Sequence, residues 1–237
     1  MISIKNPIML ALDVDSDQQA FSLLDQVGGL VGAIKIGPRL NLKYGASFIE
    51  KAAQYSPVFI DNKYFDITST VLASVQASFD SGATFATVHA LNGFETLSQL
   101  YALELKLNKI RPFKILAVTI LTSWTQDQFP ENFKNQTIEE HVSSLAELVA
   151  RSGLSGLVCS GHELSLIRRT EDPTSRLFKV VPGIRIEEDL ISNTQDQKRV
   201  MTPTQALESG ANALVIGRSI LNSKNPRQTV QKILETI

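Results

Sequence analysis

The sequence predicts a single (β/α)8 barrel domain over residues 1–237. Three observations carry this. Eight short apolar runs recur along the chain, amphipathic stretches separate them, and 237 residues suit one such barrel while exceeding an ordinary compact domain. Alternating strands and helices argue for parallel strands joined by crossover helices, and eight of them can close on themselves. A doubly wound open sheet is the competing fold. None of the turns after the apolar runs carries the G-x-G-x-x-G phosphate loop that would favour it.

The runs follow in order. "IMLALDV" (8–14) opens the series, then "GAIKIG" (32–37), "PVFIDNK" (57–63) and "FATVHA" (85–90). "KILAVTIL" (114–121), "GLVCS" (156–160), "LFKVVPGI" (177–184) and "ALVIGRS" (213–219) complete it. Each is too short, and too rich in Val, Ile, Leu and Phe, for a surface helix, and Gly, Pro, Asp or Ser bound each one. Between them lie helical patterns. Over 66–81, Ile67, Val71, Val75 and Phe79 recur every four residues and predict one apolar stripe, with Gly82 as the stop. Two connections are long and polar, 122–136 after the fifth strand and 185–199 after the seventh; such loops are often lids or binding loops.

Composition narrows the function classes. Lys and Arg number 23 against 24 Asp and Glu, so the net charge of −1 leaves no broad basic footprint for nucleic acid. No apolar stretch approaches the roughly 20 residues that span a bilayer. "MISIKNPIML" lacks the basic-then-apolar pattern of a signal peptide. The lone Cys159, in an apolar run, reads as a core residue. A cytosolic enzyme or binding protein is expected.

In a barrel of this kind the site lies at the C-terminal ends of the strands. Charges gather there. Strand 1 ends in Asp13 and strand 2 carries Lys35. Strand 3 carries Asp61 and Lys63, with Asp66 just beyond, and strand 4 ends in His89. Side chains two apart on a strand share a face, so Asp61 and Lys63 point together and the three charges of this segment are expected to converge. Taken singly, Asp13 reads as a cap for a helix starting near Asp17, and His89 as a hydrogen-bonded interior residue. Together, two lysines and two or three carboxylates at neighbouring strand tips point to chemistry. Two such charges 4 Å apart interact by about 4 kcal/mol at an effective dielectric of 20, and alternating signs hold the lysines protonated and the carboxylates ionised. The loops after strands 7 and 8 commonly bind phosphate in such barrels. "VPGIR" and "VIGRS" bring glycine-freed amides with Arg185 and Arg218, and the guanidinium fork suits phosphate.

"ALD" (11–13), "KIG" (35–37), D-x-K-x-x-D-I (61–67), "VHA" (88–90), "LTS" (121–123), "PGIR" (182–185), "MTP" (201–203) and "VIGR" (215–218) occur in an order that resembles the orotidine 5'-monophosphate decarboxylase family over essentially the whole chain. The D-x-K-x-x-D element alone is shared with related phosphosugar barrels; the full series is far more specific. The resemblance implies decarboxylation of orotidine 5'-monophosphate to uridine 5'-monophosphate in pyrimidine biosynthesis, without a cofactor or metal. It implies that Lys35, Asp61, Lys63 and Asp66 form the charged array, with Lys63 as proton donor. Asp13 is implied to hold ribose hydroxyls, Thr122 and Ser123 to contact the pyrimidine, and Pro182 to form an apolar wall. Arg218, the amides of Gly217 and Arg218, Gln197 and Arg185 are implied ligands, chiefly of the phosphate. A homodimer is also implied, with Asp66, Ile67 and Thr70 reaching the partner's site.

Five positions depart from the family's usual residues: Asn62, Tyr64, Phe65, Thr68 and Ser69 stand where Leu, Phe-His and Pro-Asn are usual. None belongs to the array, so they bear on loop shape and dimer contacts. Two rivals remain at this stage. Mg²⁺-dependent phosphosugar enzymes share D-x-K-x-x-D but place a carboxylate on strand 2, where this chain has Lys35. A non-catalytic nucleotide-binding barrel is the other.

Overall fold

The computed structural model describes residues 4–133, 135–170, 177–186 and 200–237. Eight parallel strands close in sequence order, β1 next to β2 and so on round to β8 beside β1. They are β1 (Ile8–Ala11), β2 (Ala33–Ile36), β3 (Val58–Tyr64), β4 (Phe85–His89), β5 (Lys114–Val118), β6 (Gly156–Val158), β7 (Phe178–Val181) and β8 (Ala213–Ile216). The crossover helices include α1 (Asp17–Val27), α2 (Pro38–Ala52), α3 (Thr68–Asp80), α4 (Gly93–Leu107), α5 (Ile138–Arg151) and α6 (Leu164–Thr170). Near the C-terminus follow α7 (Pro203–Glu208), α8 (Arg218–Leu221) and α9 (Pro226–Glu235). The predicted barrel is the observed one, and the open sheet is excluded by the pairing of β1 with β8.

Strand alternation splits the core in two. Ile8, Leu10, Ile34, Ile36, Val58 and Ile60 point outward into a large cluster with the helices. Met9, Ala11, Ala33, Phe59, Phe85, Leu116, Val158, Val180 and Val215 point inward and fill the barrel. Near the bottom, the ring of Phe85 lies 6.2 Å from those of Phe59 and Phe178. A cavity opens at the C-terminal ends of the strands. Cys159 is fully buried in the outer cluster.

One sequence expectation changes, and the reading of Asp13 as a helix cap falls away. Val71, Val75 and Phe79 are buried as the stripe of α3, but Ile67 stands outside it, 70% exposed, as the residue before the first turn. The Asp66 carboxylate accepts the Ile67 N–H at 2.6 Å and fixes this approach to the helix. Asp13 does not cap α1, because Ser16 does so by accepting the Gln19 N–H at 3.2 Å. The connection 122–136 is also tied down. Phe129 is buried among the rings of Trp124, Phe133 and His141, and Gln126 accepts the first amide of α5, that of Ile138, at 3.0 Å.

Candidate active site

The inward parity that fills the barrel continues past its apolar layers. Above Ala11 the next inward residue is Asp13, and above Ala33 it is Lys35. Above Phe59 come Asp61 and Lys63, above Phe85 come Thr87 and His89, and above Val215 comes Gly217. A packed apolar floor therefore carries a polar layer on the same inward face, and the strand geometry breaks within it only in β3, near Lys63. A cavity of about 640 Å³ opens over it. Asp13, Lys35, Asp61, Lys63, Thr122, Ser123, Pro182, Arg185, Gly217 and Arg218 all line it. Ten predicted residues from six strand ends thus meet in one place.

Asp61 is the centre of the polar layer. The Lys63 ammonium donates to its Oδ1 at 2.9 Å, and the Lys35 ammonium lies 3.4 Å from its Oδ2. Lys35 also reaches Asp13 Oδ1 at 3.5 Å. Signs alternate along Asp13, Lys35, Asp61 and Lys63. Burial alone would raise the Asp61 pKa, but the positive charges of Lys35 and Lys63, with hydrogen bonds from Lys63 and Thr87, outweigh it and hold the carboxyl below its ordinary value. Asp61 is therefore ionised at neutral pH.

The backbone at Lys63 is unusual. Its φ of +50° is the only positive value at a non-glycine among the described residues. The register between β3 and β4 shifts here: Ile60 pairs with Ala86, yet Tyr64 pairs with Val88. Four steps on β3 match two on β4, so β3 bulges and the Lys63 amide leaves the ladder. A side chain takes over, since Thr87 Oγ1 accepts the Lys63 N–H at 2.8 Å.

Asp66 corrects the expectation that all three charges of this segment converge. Its carboxylate faces outward and caps the Ile67 amide, and no ion pair joins it to Lys63 within the described residues. The bulge and the turn into α3 end the strand alternation before residue 66. Ile67 and Thr70 are likewise exposed and line no part of the cavity. Gln197 lies outside the described residues, as does most of the second long connection. His89 is the hydrogen-bonded interior residue expected, its Nδ1 accepting the Leu91 N–H at 3.2 Å. Burial, and then the Lys63 charge, lower its pKa, which favours the neutral ring.

The loops after β7 and β8 line the cavity across from β3. Gly183, at φ +80°, turns the chain so that Ile184 bridges Met201 and the Arg185 amide donates to the Met201 carbonyl at 3.1 Å. Arg185 is buried in the cavity wall. Gly217 packs so close to β1 that an added Cβ would lie 3.2 Å from the Ala11 Cβ. A larger residue there would require a shift of a few tenths of an ångström between this turn and β1.

Two residues escaped the sequence reading. Arg39 lines the cavity and pairs with Asp15 at 2.9 Å on an exposed rim. Thr87 bonds both Lys63 and Asp61. The signal for Thr87 was its inward parity between Phe85 and His89, inside an otherwise apolar strand.

The residues that depart from the family's usual pattern lie behind the array. Asn62 Nδ2 donates to the Tyr64 hydroxyl at 2.9 Å, which is 2.9 Å from Ser78 Oγ on α3. The Thr68 and Thr96 hydroxyls are 2.8 Å apart, and Phe65 lies with its ring 5.9 Å from that of His89. They shape the loops after β3 and β4, not the cavity floor.

Comparison with known proteins agrees over nearly the full length. Residues 6–233 match the family model described as Orotidine 5'-phosphate decarboxylase / HUMPS family. The orotidine 5'-phosphate decarboxylase of Trichlorobacter lovleyi is 37% identical over 237 residues, covering 98% of this chain and 95% of that protein. That of Nitrosococcus oceani is 36% identical, covering 97% and 96%. The crystal structure of orotidine 5'-phosphate decarboxylase from Lactobacillus acidophilus superposes with a TM-score of 0.82 at 30% identity, covering 98% of this chain and 99% of that one.

Proposed function

The chain belongs to the orotidine 5'-phosphate decarboxylase / HUMPS family, and from that premise we propose that it converts orotidine 5'-phosphate to uridine 5'-phosphate and CO2, with Lys63 as the proton donor. The observation that carries this reading within the family is the ammonium of Lys35, held between Asp13 and Asp61 at 3.5 and 3.4 Å. A Mg²⁺-dependent phosphosugar enzyme needs a carboxylate on this strand to hold its ion. Here a fixed cation fills that position and would repel a second one.

The cavity charge fits the substrate. Among the described residues that line the cavity, basic side chains outnumber carboxylates, although Arg39 is paired with Asp15 at the rim. A nucleoside monophosphate bearing a ring carboxylate carries close to three negative charges at pH 7, because the second phosphate pKa is about 6.

Loss of CO2 leaves the bonding pair on a ring carbon with no neighbouring carbonyl to receive it. Fixed charge is then the available stabilisation. The Lys63 ammonium lies beside that carbon, stabilises the growing carbanion and gives it a proton, leaving neutral lysine to recover one from water. Asp61 holds Lys63 in place and faces the departing carboxylate. Asp13 and Lys35 hold the ribose hydroxyls, Thr122 and Ser123 meet the pyrimidine, and Pro182 walls the ring. Gly217, Arg218, Arg185 and Gln197 take the phosphate. Binding at that remote group supplies free energy for closing the site around the reacting carbon.

The active unit in this reading is a homodimer. Asn92 ties the loops after β3 and β4 together, donating to the Tyr64 and His89 carbonyls at 2.9 and 2.8 Å. Exposed Phe65 and Ile67 stand on the first of these loops and exposed Phe94 in the first turn of α4, an apolar group suited to a second copy. That copy would place Asp66, Ile67 and Thr70 at its neighbour's site. Sedimentation is expected to give a mass of two chains; a single chain at micromolar concentration would remove the dimer.

The test of the reaction is EDTA-treated protein mixed with orotidine 5'-phosphate, followed by ultraviolet absorbance. Conversion to uridine 5'-phosphate is expected without added metal; a folded protein that binds the nucleotide without turnover would favour a binding role. Arg218→Ala is expected to raise KM for orotidine 5'-phosphate by about 10²-fold, as loss of a charged phosphate contact of roughly 3 kcal/mol would do. An unchanged KM would remove Arg218 from the phosphate site.

A further inference from the structure

We propose that Thr87 is a positioning residue for the decarboxylation, holding the Asp61–Lys63 pair at its reacting geometry through one hydroxyl. The inference rests on the decarboxylase reading above and adds a residue from β4, the strand that lines no part of the cavity directly.

Thr87 is fully buried, and its hydroxyl has both capacities committed. It accepts the Lys63 backbone N–H at 2.8 Å and donates to Asp61 Oδ1 at 3.0 Å. The same Oδ1 accepts from the Lys63 ammonium at 2.9 Å. The result is a closed ring: Lys63 amide to Thr87 hydroxyl, hydroxyl to Asp61, and Asp61 back to the Lys63 side chain. Both ends of the lysine are set from one carboxylate–hydroxyl unit.

The backbone makes this unit necessary. Where β3 bulges away from β4, the Lys63 amide has lost its place in the ladder, and its φ of +50° is costly for a side chain of this size. A buried amide without an acceptor is strongly disfavoured. The Thr87 oxygen supplies that acceptor from the neighbouring strand and so favours the bulged conformation that aims Lys63 into the cavity. The β-branched side chain has few χ1 choices, which keeps the oxygen in place before substrate arrives. A valine would match the shape, yet it would neither accept the amide nor donate to Asp61. Phe59 and Phe85 pack the layer beneath, so the change at residue 87 leaves the floor of the cavity intact.

The experiment compares wild type with Thr87→Val and Thr87→Ser, measuring kcat and KM for orotidine 5'-phosphate and the Kd for uridine 5'-phosphate. Thr87→Val is expected to lower kcat on the order of 10²-fold, the scale of a sub-ångström to 1 Å misplacement of a reacting group. KM and the product Kd are expected to stay within about twofold, since phosphate and ribose contacts lie on other strands. Thr87→Ser should restore most of the lost kcat. Should Thr87→Val not fold, Thr87→Ala against Thr87→Ser makes the same comparison of a site without and with the hydroxyl. Wild-type kcat in the hydroxyl-free variant would overturn the inference. So would a parallel loss of kcat and product binding that serine does not reverse. A folded wild type inert toward orotidine 5'-phosphate would instead overturn the decarboxylase reading, and this inference with it.

Discussion

Lys63→Ala is expected to lower kcat by at least about 10⁴-fold while leaving uridine 5'-phosphate binding largely intact, because one ammonium carries both transition-state stabilisation and proton delivery. Each effect alone is worth about 10²-fold or more, and no other cation can take over. Lys35 is held on the opposite oxygen of Asp61 and paired with Asp13. Arg185 and Arg218 belong to the far wall, and an arginine does not release a proton near pH 7. The Lys63 side chain is more exposed than its two neighbours in the array, 37% against 12% for Lys35 and 13% for Asp61, as a group that must meet a substrate should be. Removing it costs little packing. Single-turnover rates with the variant, alongside product titration, would check this; a kcat within tenfold of wild type ends the proton-donor assignment.

Asp61→Asn is expected to act on both activity and stability. The amide cannot balance two ammoniums, so Lys35 and Lys63 would face each other across a neutral group. Activity should fall on the order of 10²-fold or more as Lys63 loses its fixed position. Breaking a buried pair costs about 3–5 kcal/mol, but this pair borders an open cavity, so about 1–2 kcal/mol is expected at pH 7. The pH dependence has a definite sign. Burial opposes ionisation of Asp61, and the Lys35 and Lys63 charges more than reverse it, so the folded-state pKa lies below the ordinary value. Its contribution to stability is therefore complete above the unfolded pKa of about 4 and is lost as pH falls through the lower folded-state value. Wild type and Asp61→Asn should differ in urea midpoint at pH 7 and converge in strong acid. A gap that widens on acidification, or a variant more stable at pH 7, contradicts the assigned ion pairs.

The family resemblance and the barrel were open to inspection in the chain because both depend on local regularities. An apolar strand run, a strand-end charge and a glycine-bearing turn are each recognisable within about ten residues, and the (β/α)8 rule says where their ends meet. Asp13, Lys35, Asp61, Lys63, Thr122, Ser123, Pro182, Arg185, Gly217 and Arg218 were found this way, and all line the one cavity. The method failed where the period failed. Ile67 was placed by extending a four-residue repeat, and Asp66 by its nearness to Asp61 and Lys63, through a segment in which β3 bulges and the chain turns into α3, and neither periodicity nor nearness in sequence fixes a direction across such a break.

The sequence by itself determined the barrel, the inward parity of each strand, and the list of charged groups at the strand tips. Only the tertiary structure decided which of those groups touch. Asp13 serves Lys35 and not the cap of α1; Asp61 accepts from Lys63 and forms an ion pair with Lys35 on the neighbouring strand; Asp66 pairs with neither among the described residues. Thr87 was unremarkable as one hydroxyl in an apolar run, and its importance comes from a register shift between two strands that pair 26 residues apart. Periodicity is a property of one segment, whereas a hydrogen bond between strands depends on how two segments slide past each other. That slide is set by packing of the whole barrel, and no short stretch of the chain contains it.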